Sequence, residues 1–202
     1  MNITYIQHSC FLIETDRFYY LFDYYKGSLP EMDVTKPIFV LSSHGHSDHY
    51  NPEIFSVLQA AGMQRIRAVL SDDIAAPEAL DVLSVAPGAE YSLGPQQKLT
   101  TLRSTDLGVA FLIEDGQDLF YHAGDLNDWV WEGEPDAYNE EMTKNYRMEI
   151  ACLAQKLGLC PKHALSYGVA LTHIFFIIYE LNSVVSIIFN YISRRIFGPI
   201  VN

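Results

Sequence analysis

Short apolar stretches separated by turn residues dominate the first part of the chain. Three segments, 2–7, 10–14 and 18–22, are rich in β-branched and aromatic residues, which predicts three strands with a turn at Asp16-Arg17. The run Pro37-Ile38-Phe39-Val40-Leu41 is apolar without alternation, a pattern typical of a strand that is buried on both faces. The chain is therefore predicted to open with strands.

A helix is predicted soon after this apolar run. Asn51 is a good N-cap, Pro52 suits the first helical position, and apolar residues recur at helical spacing until Gly62. A strand is predicted over 66–70 and a short helix over 77–83. This repeated alternation of strands and helices predicts α/β packing.

The following region is predicted to be mostly extended. Residues 86–97 are rich in turn signals, whereas 98–102, 109–114 and 118–121 have the composition of strands, the last two forming a hairpin. A helix is predicted over 138–158, with an apolar stripe that we interpret as core. The stripe consists of Tyr138, Met142, Tyr146, Ile150, Leu153 and Leu157.

The end of the chain differs in composition from the rest. Only Glu180 of the 25 acidic residues lies after Glu149, and segment 169–189 is almost uncharged. Its length approaches that of a membrane span, but a carboxylate in its middle opposes insertion by about 2.5–3.5 kcal/mol. Membrane contact through this segment is therefore not favoured, and we predict a domain over 1–160 followed by a divergent apolar tail over 161–202.

Charge and cysteine content limit the partners and the cellular compartment that we expect for this protein. The net charge of −12 argues against a nucleic-acid partner, because phosphate binding needs fields of Lys and Arg. Cys10, Cys152 and Cys160 are too few and too scattered for a disulfide framework, and no signal peptide is evident at the N-terminus. We therefore expect a cytoplasmic protein, whose oligomeric state the sequence leaves open.

The clearest chemical signal lies directly after the apolar run. His44, His46, Asp48 and His49 place three of the chain's seven histidines and a carboxylate within six residues. Imidazole and carboxylate are ligands for Zn, Fe and Mn, and crowding them together is costly unless a cation is bound. The sequence therefore predicts a metal site on a loop at the end of a strand.

The spacing His-x-His-x-Asp-His resembles the motif of the metallo-β-lactamase superfamily. Segments 3–14 and 20–23 look like the opening strands of the branch related to ascorbate-6-phosphate lactonase, and 119–125 resembles the family's strand that ends in Gly-Asp. The resemblance covers roughly the first three quarters of the chain. It implies an α/β fold, a four-layer αββα sandwich that is incomplete or altered at its C-terminus.

The resemblance also implies a set of ligands and a cofactor. His44, His46, Asp48 and His49 would bind one or two Zn ions, with Asp125 as the bridging carboxylate, and Mn or Fe would suit the same donors. A third histidine for the first metal is missing from 103–108, where Asp106 could substitute or simply form a surface turn. The late histidine for the second metal would be His163 or His173, and neither lies in a context resembling the family's.

Further residues are expected near the site. His8 and Asp23 are interpreted as supporting the ligands, Asp23 by accepting a histidine N–H, with ordinary structural roles as the alternative. His122 should face away from Asp125 in an extended segment, so we expect it to be structural or supporting. Trp129 and Trp131 could wall a substrate pocket or simply pack.

The implied function is hydrolysis of a small-molecule ester, lactone, amide or phosphodiester by a metal-activated hydroxide. Asp48 would be the catalytic residue, orienting the hydroxide and handling its proton. The alternative is a catalytically inactive metal-binding protein, or one associated with a membrane or partner, with an incomplete site. A di-iron redox protein ranks last, because no flavin site is evident.

The tail has two explanations. It is either a helix that faces a membrane or partner, or a replacement of the original C-terminal part, for instance by a reading-frame change. We favour replacement, because the rest of the chain follows its family closely.

Overall fold

The computed structural model describes residues 1–78 and 80–158, together with the backbone of two later strands, 176–180 and 186–188. The described chain forms two compact units, the first ending at Ala86 and the second beginning at Pro87. The described residues of each unit form one six-stranded sheet and one helix. The predicted α/β class is therefore confirmed.

The sheet of the first unit follows chain order from edge to edge. It consists of β1 (Asn2–Gln7), β2 (Cys10–Glu14), β3 (Tyr19–Phe22), β4 (Ile38–Ser42), β5 (Ile66–Ser71) and β6 (Asp81–Val85). The first three strands are antiparallel, and β3 to β6 are parallel. All five residues of β4 are buried between β3 and β5, as its continuous apolar sequence predicts. The carboxyl end of β4 leads directly into the histidine-rich loop.

Helix α1 (Glu53–Ala60) follows that loop and packs into the core of the first unit. The side chain of Asn51 accepts a hydrogen bond from the Glu53 backbone N–H at 2.9 Å, and Gly62, with φ +93°, follows the helix. The helix predicted here is therefore present. Its buried side chains, which pack into the core of the first unit, are Ile54, Phe55 and Leu58.

The second unit contains an antiparallel sheet in the order β12-β11-β10-β9-β8-β7. Its strands are β7 (Glu90–Gly94), β8 (Gln97–Arg103), β9 (Val109–Asp115), β10 (Asp118–His122), β11 (Phe176–Glu180) and β12 (Ser186–Ile188). The predicted hairpin joins β9 to β10, and Gly116 supplies the positive φ of +64° that its tight turn needs. Asp106 lies in the loop between β8 and β9, and Asp125 lies just after β10.

Helix α2 (Asp136–Lys156) packs against part of this second sheet. One residue of its predicted apolar stripe is exposed. Tyr138, expected in the apolar stripe, is exposed because it lies in the first turn, ahead of the part of the helix that is buried. The core side of the helix is formed by Tyr146, Ile150, Leu153 and Ala154.

Two further predicted segments fold differently. The short helix predicted over 77–83 is wrong, because Val82 and Leu83 belong to β6 and pair in parallel with β5. Residues 86–97, predicted as turns, contain β7, in which Tyr91 and Leu93 alternate with polar residues. In both cases pairing with a neighbouring strand decides the structure over local propensity.

Most of the predicted tail lies outside the described residues, including His163 and His173. Within 169–189 the backbone forms β11 and β12, which pair antiparallel with each other. No helix in the described part of the chain is both long and apolar enough to cross a membrane. The division into 1–160 and 161–202 stays a prediction.

Candidate metal centre

The loop after β4 folds back on itself and gathers its histidines. The backbone N–H of His49 donates to the carbonyl oxygen of His46 at 3.0 Å. Ser43, His44 and His49 are buried, whereas His46 and Asp48 are exposed. The loop therefore anchors one side in the core and presents the other to solvent, an arrangement suited to binding.

Asp23, directly after β3, is a fully buried carboxylate beneath this loop. Its Oδ1 accepts a hydrogen bond from the Ser43 backbone N–H at 2.7 Å. Its Oδ2 accepts one from the Ser43 hydroxyl at 2.8 Å and one from His49 Nδ1 at 2.8 Å. Three hydrogen bonds thus satisfy a side chain that would be costly to bury without partners.

These hydrogen bonds determine which nitrogen of two histidines can bind a metal. A carboxylate only accepts, so the Ser43 hydroxyl donates to Asp23 and accepts from His44 Nδ1, which lies 3.0 Å away. His49 likewise donates through Nδ1 to Asp23. With Nδ1 protonated, Nε2 of each neutral ring carries the lone pair that a metal binds.

His44 and His46 lie at a separation suited to a shared cation. His44 Nε2 is 3.0 Å from His46 Nδ1, and the two rings are inclined by 81°. Two nitrogens bound tetrahedrally to one Zn ion at about 2.0–2.1 Å would be about 3.3 Å apart. The donors of this loop therefore fit a divalent transition metal.

Asp73, in the turn after β5, holds the backbone between these two histidines. Its Oδ2 accepts a hydrogen bond from the Gly45 N–H at 2.7 Å. A Cβ atom at position 45 would lie 3.1 Å from the same oxygen, a close approach. Glycine between His44 and His46 thus allows the carboxylate to approach the main chain.

His8, in the turn between β1 and β2, lies beside the same loop. Its Nε2 is 3.3 Å from Asp48 Oδ2, and its ring centroid is 5.4 Å from that of His49. His8, Asp48 and His49 each offer one potential ligand atom, and these atoms lie within 4.8 Å of one another. The first unit therefore contains a second group of donors in addition to His44 and His46.

Two of the expected carboxylates lie on neighbouring loops of the second unit. Asp106 and Asp125 each offer an oxygen within 4.8 Å of the other. Thr105 joins the two loops, because its hydroxyl donates to the carbonyl of Asn127 at 2.6 Å and accepts from the Asn127 N–H at 2.9 Å. This pair of oxygen donors is also suited to a divalent cation.

The remaining predicted residues of the second unit surround Asp125. His122 is buried and accepts a hydrogen bond at Nδ1 from the Gly124 N–H at 3.1 Å; among the described residues it belongs to no cluster of potential metal ligands.

Trp129 donates through Nε1 to the carbonyl of Asp125 at 3.1 Å. Its ring stacks on that of Trp131, with centroids 5.3 Å apart and planes inclined by 9°. An aromatic pair therefore lies next to Asp125.

Sequence reasoning missed Ser43 and Asp73. The position of Ser43 directly before His44 is a local signal, since a hydroxyl there can partner a ligand histidine. Asp73 is 28 residues away from Gly45, and no local pattern connects them.

Comparison with known proteins gives one family and several similar structures. The sequence model of a family described as "Beta-lactamase superfamily domain" matches residues 2–132. Igni18, a metallo hydrolase from the hyperthermophilic archaeon Ignicoccus hospitalis, is 17% identical with a TM-score of 0.47, covering 63% of this chain and 62% of that one. A mutant of the CmlA beta-hydroxylase is 20% identical with a TM-score of 0.47, covering 63% of this chain and 31% of that one. No curated protein matches the chain.

Proposed function

Because the chain belongs to the beta-lactamase superfamily, we propose that it is a metal-dependent hydrolase whose metal is bound by the loop after β4. The observation that carries this proposal is the 3.0 Å separation of His44 Nε2 and His46 Nδ1. Asp23 adds support, because it orients His49 directly and His44 through Ser43.

The proposed ligands combine this loop with a residue that the family resemblance adds. His44 and His46 would hold one metal and Asp48 and His49 would contribute to a second, with Asp125 as the bridging carboxylate that the family resemblance implies. We propose Zn as the metal, although the same nitrogen and oxygen donors would accept Mn or Fe.

Asp106 is proposed to replace the histidine that the resemblance expects within 103–108. The proximity of its carboxylate to that of Asp125 within the second unit supports this assignment. An oxygen donor in place of an imidazole would make the site more favourable to Mn or Fe than an all-histidine site is.

The protein's own residues then have distinct parts in hydrolysis. A bound metal supplies Lewis acidity, which lowers the pKa of water towards about 7. Asp48 is exposed on the loop, so its carboxylate can orient a water by accepting a hydrogen bond and can then take its proton. Asp23 and Ser43, both buried, keep His44 and His49 in one tautomer without competition from bulk water.

The proposed substrate is a small molecule with an ester, lactone, amide or phosphodiester bond, as the resemblance to the superfamily suggests. The stacked rings of Trp129 and Trp131 support this, since they offer a flat apolar surface next to Asp125. We propose a cytoplasmic location, for which the support is a sequence with three cysteines, too few and too scattered for a disulfide framework.

Hydrolysis of a panel of chromogenic esters, lactones and phosphodiesters by the purified full chain tests this function. We expect activity to disappear when a chelator removes the metal and to return when Zn²⁺ or Mn²⁺ is added. His46→Ala should abolish metal binding and turnover together, whereas Ser47→Ala, an exposed position on the same loop, should retain both. Activity that persists in the metal-free protein would contradict the proposal.

A further inference from the structure

The turn between β1 and β2 places an imidazole where the family motif alone does not provide one. We propose that His8 is a direct metal ligand, acting with Asp48 and His49, rather than a residue that merely supports the ligands. The inference rests on the proposed function, because it assigns a further ligand to the same metal centre. It is carried by the mutual approach of the three donor atoms within 4.8 Å.

The separation between His8 and Asp48 fits a shared cation as well as an ion pair. His8 Nε2 and Asp48 Oδ2 are 3.3 Å apart. A direct hydrogen bond between charged partners is usually shorter, about 2.7–2.9 Å. Two donors bound to one tetrahedral Zn ion at about 2.0–2.2 Å would be about 3.3–3.5 Å apart. The two side chains therefore lie close enough together to bind one cation, and the choice between a ligand and an ion pair is left to the titration below.

The backbone at His8 is held in an unusual conformation that points to a role. His8 has φ +52°, and Asp23 is the other non-glycine residue with positive φ in the described part of the chain. Histidine and aspartate tolerate this region better than most side chains, yet it still costs free energy. Both residues contact the histidine-rich loop, so the strained positions coincide with the candidate site.

Strand β1 contains a β-bulge close to this turn. Its pairing with β2 shifts register between Tyr5 and Gln7, leaving Ile6 as an extra residue immediately before the turn. Gly27 packs closely on this bulge, since a Cβ atom there would lie 2.8 Å from Ile6 Cγ2. The turn that carries His8 is therefore fixed from outside the site.

The ring of His8 is also positioned by its neighbours. It meets Tyr25 edge to face with centroids 6.0 Å apart, and His49 in the same manner at 5.4 Å. The side chains of His8 and Asp48 remain 38% and 53% exposed, whereas that of His49 is 1% exposed. An ion could therefore enter from solvent and meet two imidazoles and one carboxylate, donors that suit a divalent transition metal.

Metal titration of the full chain distinguishes a ligand role of His8 from an ion pair between His8 and Asp48. The chelator-treated protein and two variants, His8→Asn and His8→Asp, would be titrated with Zn²⁺ in competition with a chromogenic chelator, and with Co²⁺ followed by visible absorption. Asparagine and aspartate both tolerate positive φ, so the turn should persist, and circular dichroism checks the fold. Asparagine removes the strong ligand, whereas aspartate restores one but places a like charge beside Asp48.

We expect His8→Asn to weaken Zn²⁺ binding at least about tenfold and to change the Co²⁺ spectrum, with His8→Asp recovering much of the affinity. Unchanged affinity in His8→Asn would overturn the ligand role while leaving the hydrolase proposal standing. A His8→Asp variant that binds as weakly as His8→Asn, or more weakly, would also overturn it, because that is the behaviour of an ion pair. Absence of metal binding by the unsubstituted protein would overturn this inference and the proposed function together.

Discussion

A single oxygen of Asp23, Oδ2, accepts hydrogen bonds from both His49 Nδ1 and Ser43 Oγ, each at 2.8 Å. Ser43 in turn contacts His44 Nδ1 at 3.0 Å, so one buried carboxylate orients two candidate ligands of the loop after β4. Both hydrogen bonds are made through Nδ1, so Nε2 is the ring nitrogen through which each histidine would bind a metal.

Replacing Asp23 by Asn tests this arrangement with little change in size. Asparagine also tolerates the φ of +44° at this position, but it has one acceptor oxygen instead of two. We expect Zn²⁺ affinity to fall about 10–100-fold, measured by competition with a chromogenic chelator. Ser43→Ala, which removes the hydroxyl between Asp23 and His44 but keeps the hydrogen bond between Asp23 and His49, should cause a smaller loss. Equal affinity in all three proteins would show that the carboxylate does not orient the ligands.

Asp73 should contribute to metal binding without being a ligand. Asp73→Ala removes the acceptor for the Gly45 N–H and loosens the main chain between His44 and His46. A hydrogen bond contributing about 1 kcal/mol corresponds to roughly fivefold weaker Zn²⁺ binding, measurable by calorimetry. Asp72→Ala is the matched control, an exposed carboxylate at the adjacent position, and its affinity should not change. Comparable losses in the two variants would point to a general electrostatic effect.

The stability of the first unit should depend strongly on the buried side of α1. Leu58 is fully buried, whereas its neighbour Val57 is 43% exposed. We expect Leu58→Ala to lower the free energy of unfolding by about 2–5 kcal/mol, because it removes buried methyl groups and leaves a cavity. Val57→Ala should change it by less than about 0.5 kcal/mol. Urea denaturation followed by circular dichroism measures both, and similar values would contradict the position of the helix.

The ion pair between Glu14 and Lys36 should make a small, pH-dependent contribution to stability. The ammonium of Lys36 donates to Glu14 Oε1 at 2.7 Å, and this hydrogen bond lowers the pKa of Glu14 below its ordinary value of 4.5. A lowered folded-state pKa stabilises the protein above the unfolded value, and the contribution is lost as pH falls through the folded value.

Comparing the native protein with Lys36→Met across acid pH tests this. Above about pH 5 the native protein should be more stable by about 0.5 kcal/mol, since the pair is partly exposed. The difference should shrink towards zero as the pH falls below the lowered pKa of Glu14. A difference that stays constant between pH 7 and pH 3 would mean that packing of the lysine stem, and not the charge, is responsible.

Much of the fold is predictable where the signals are local. The run from Pro37 to Leu41 predicts a buried strand because every side chain in it is apolar, and the structure has β4 there. By contrast, residues 77–83 are predicted as a short helix because short apolar segments have no decisive period, and the last three of them belong instead to β6, which pairs with β5.

The candidate site shows the same division between local and distant information. The four donors between His44 and His49 are visible as a motif because they are adjacent in sequence. The hydrogen bond from Gly45 to Asp73 depends on the course of the chain between them, so only the structure shows it. The same holds for the approach of His8 to Asp48, which are separated by three strands.

The central claim, that this chain binds a catalytic metal through His44 and His46, is tested most directly by its metal content. The purified full chain would be incubated with Zn²⁺, freed of loosely bound ions by gel filtration and analysed by inductively coupled plasma mass spectrometry. We expect at least about one Zn per chain and a clearly lower content in a folded His44→Ala, His46→Ala double variant, which keeps the donors His8, Asp48 and His49. Folded, unsubstituted protein without bound metal, or a double variant with the same content, would contradict the account.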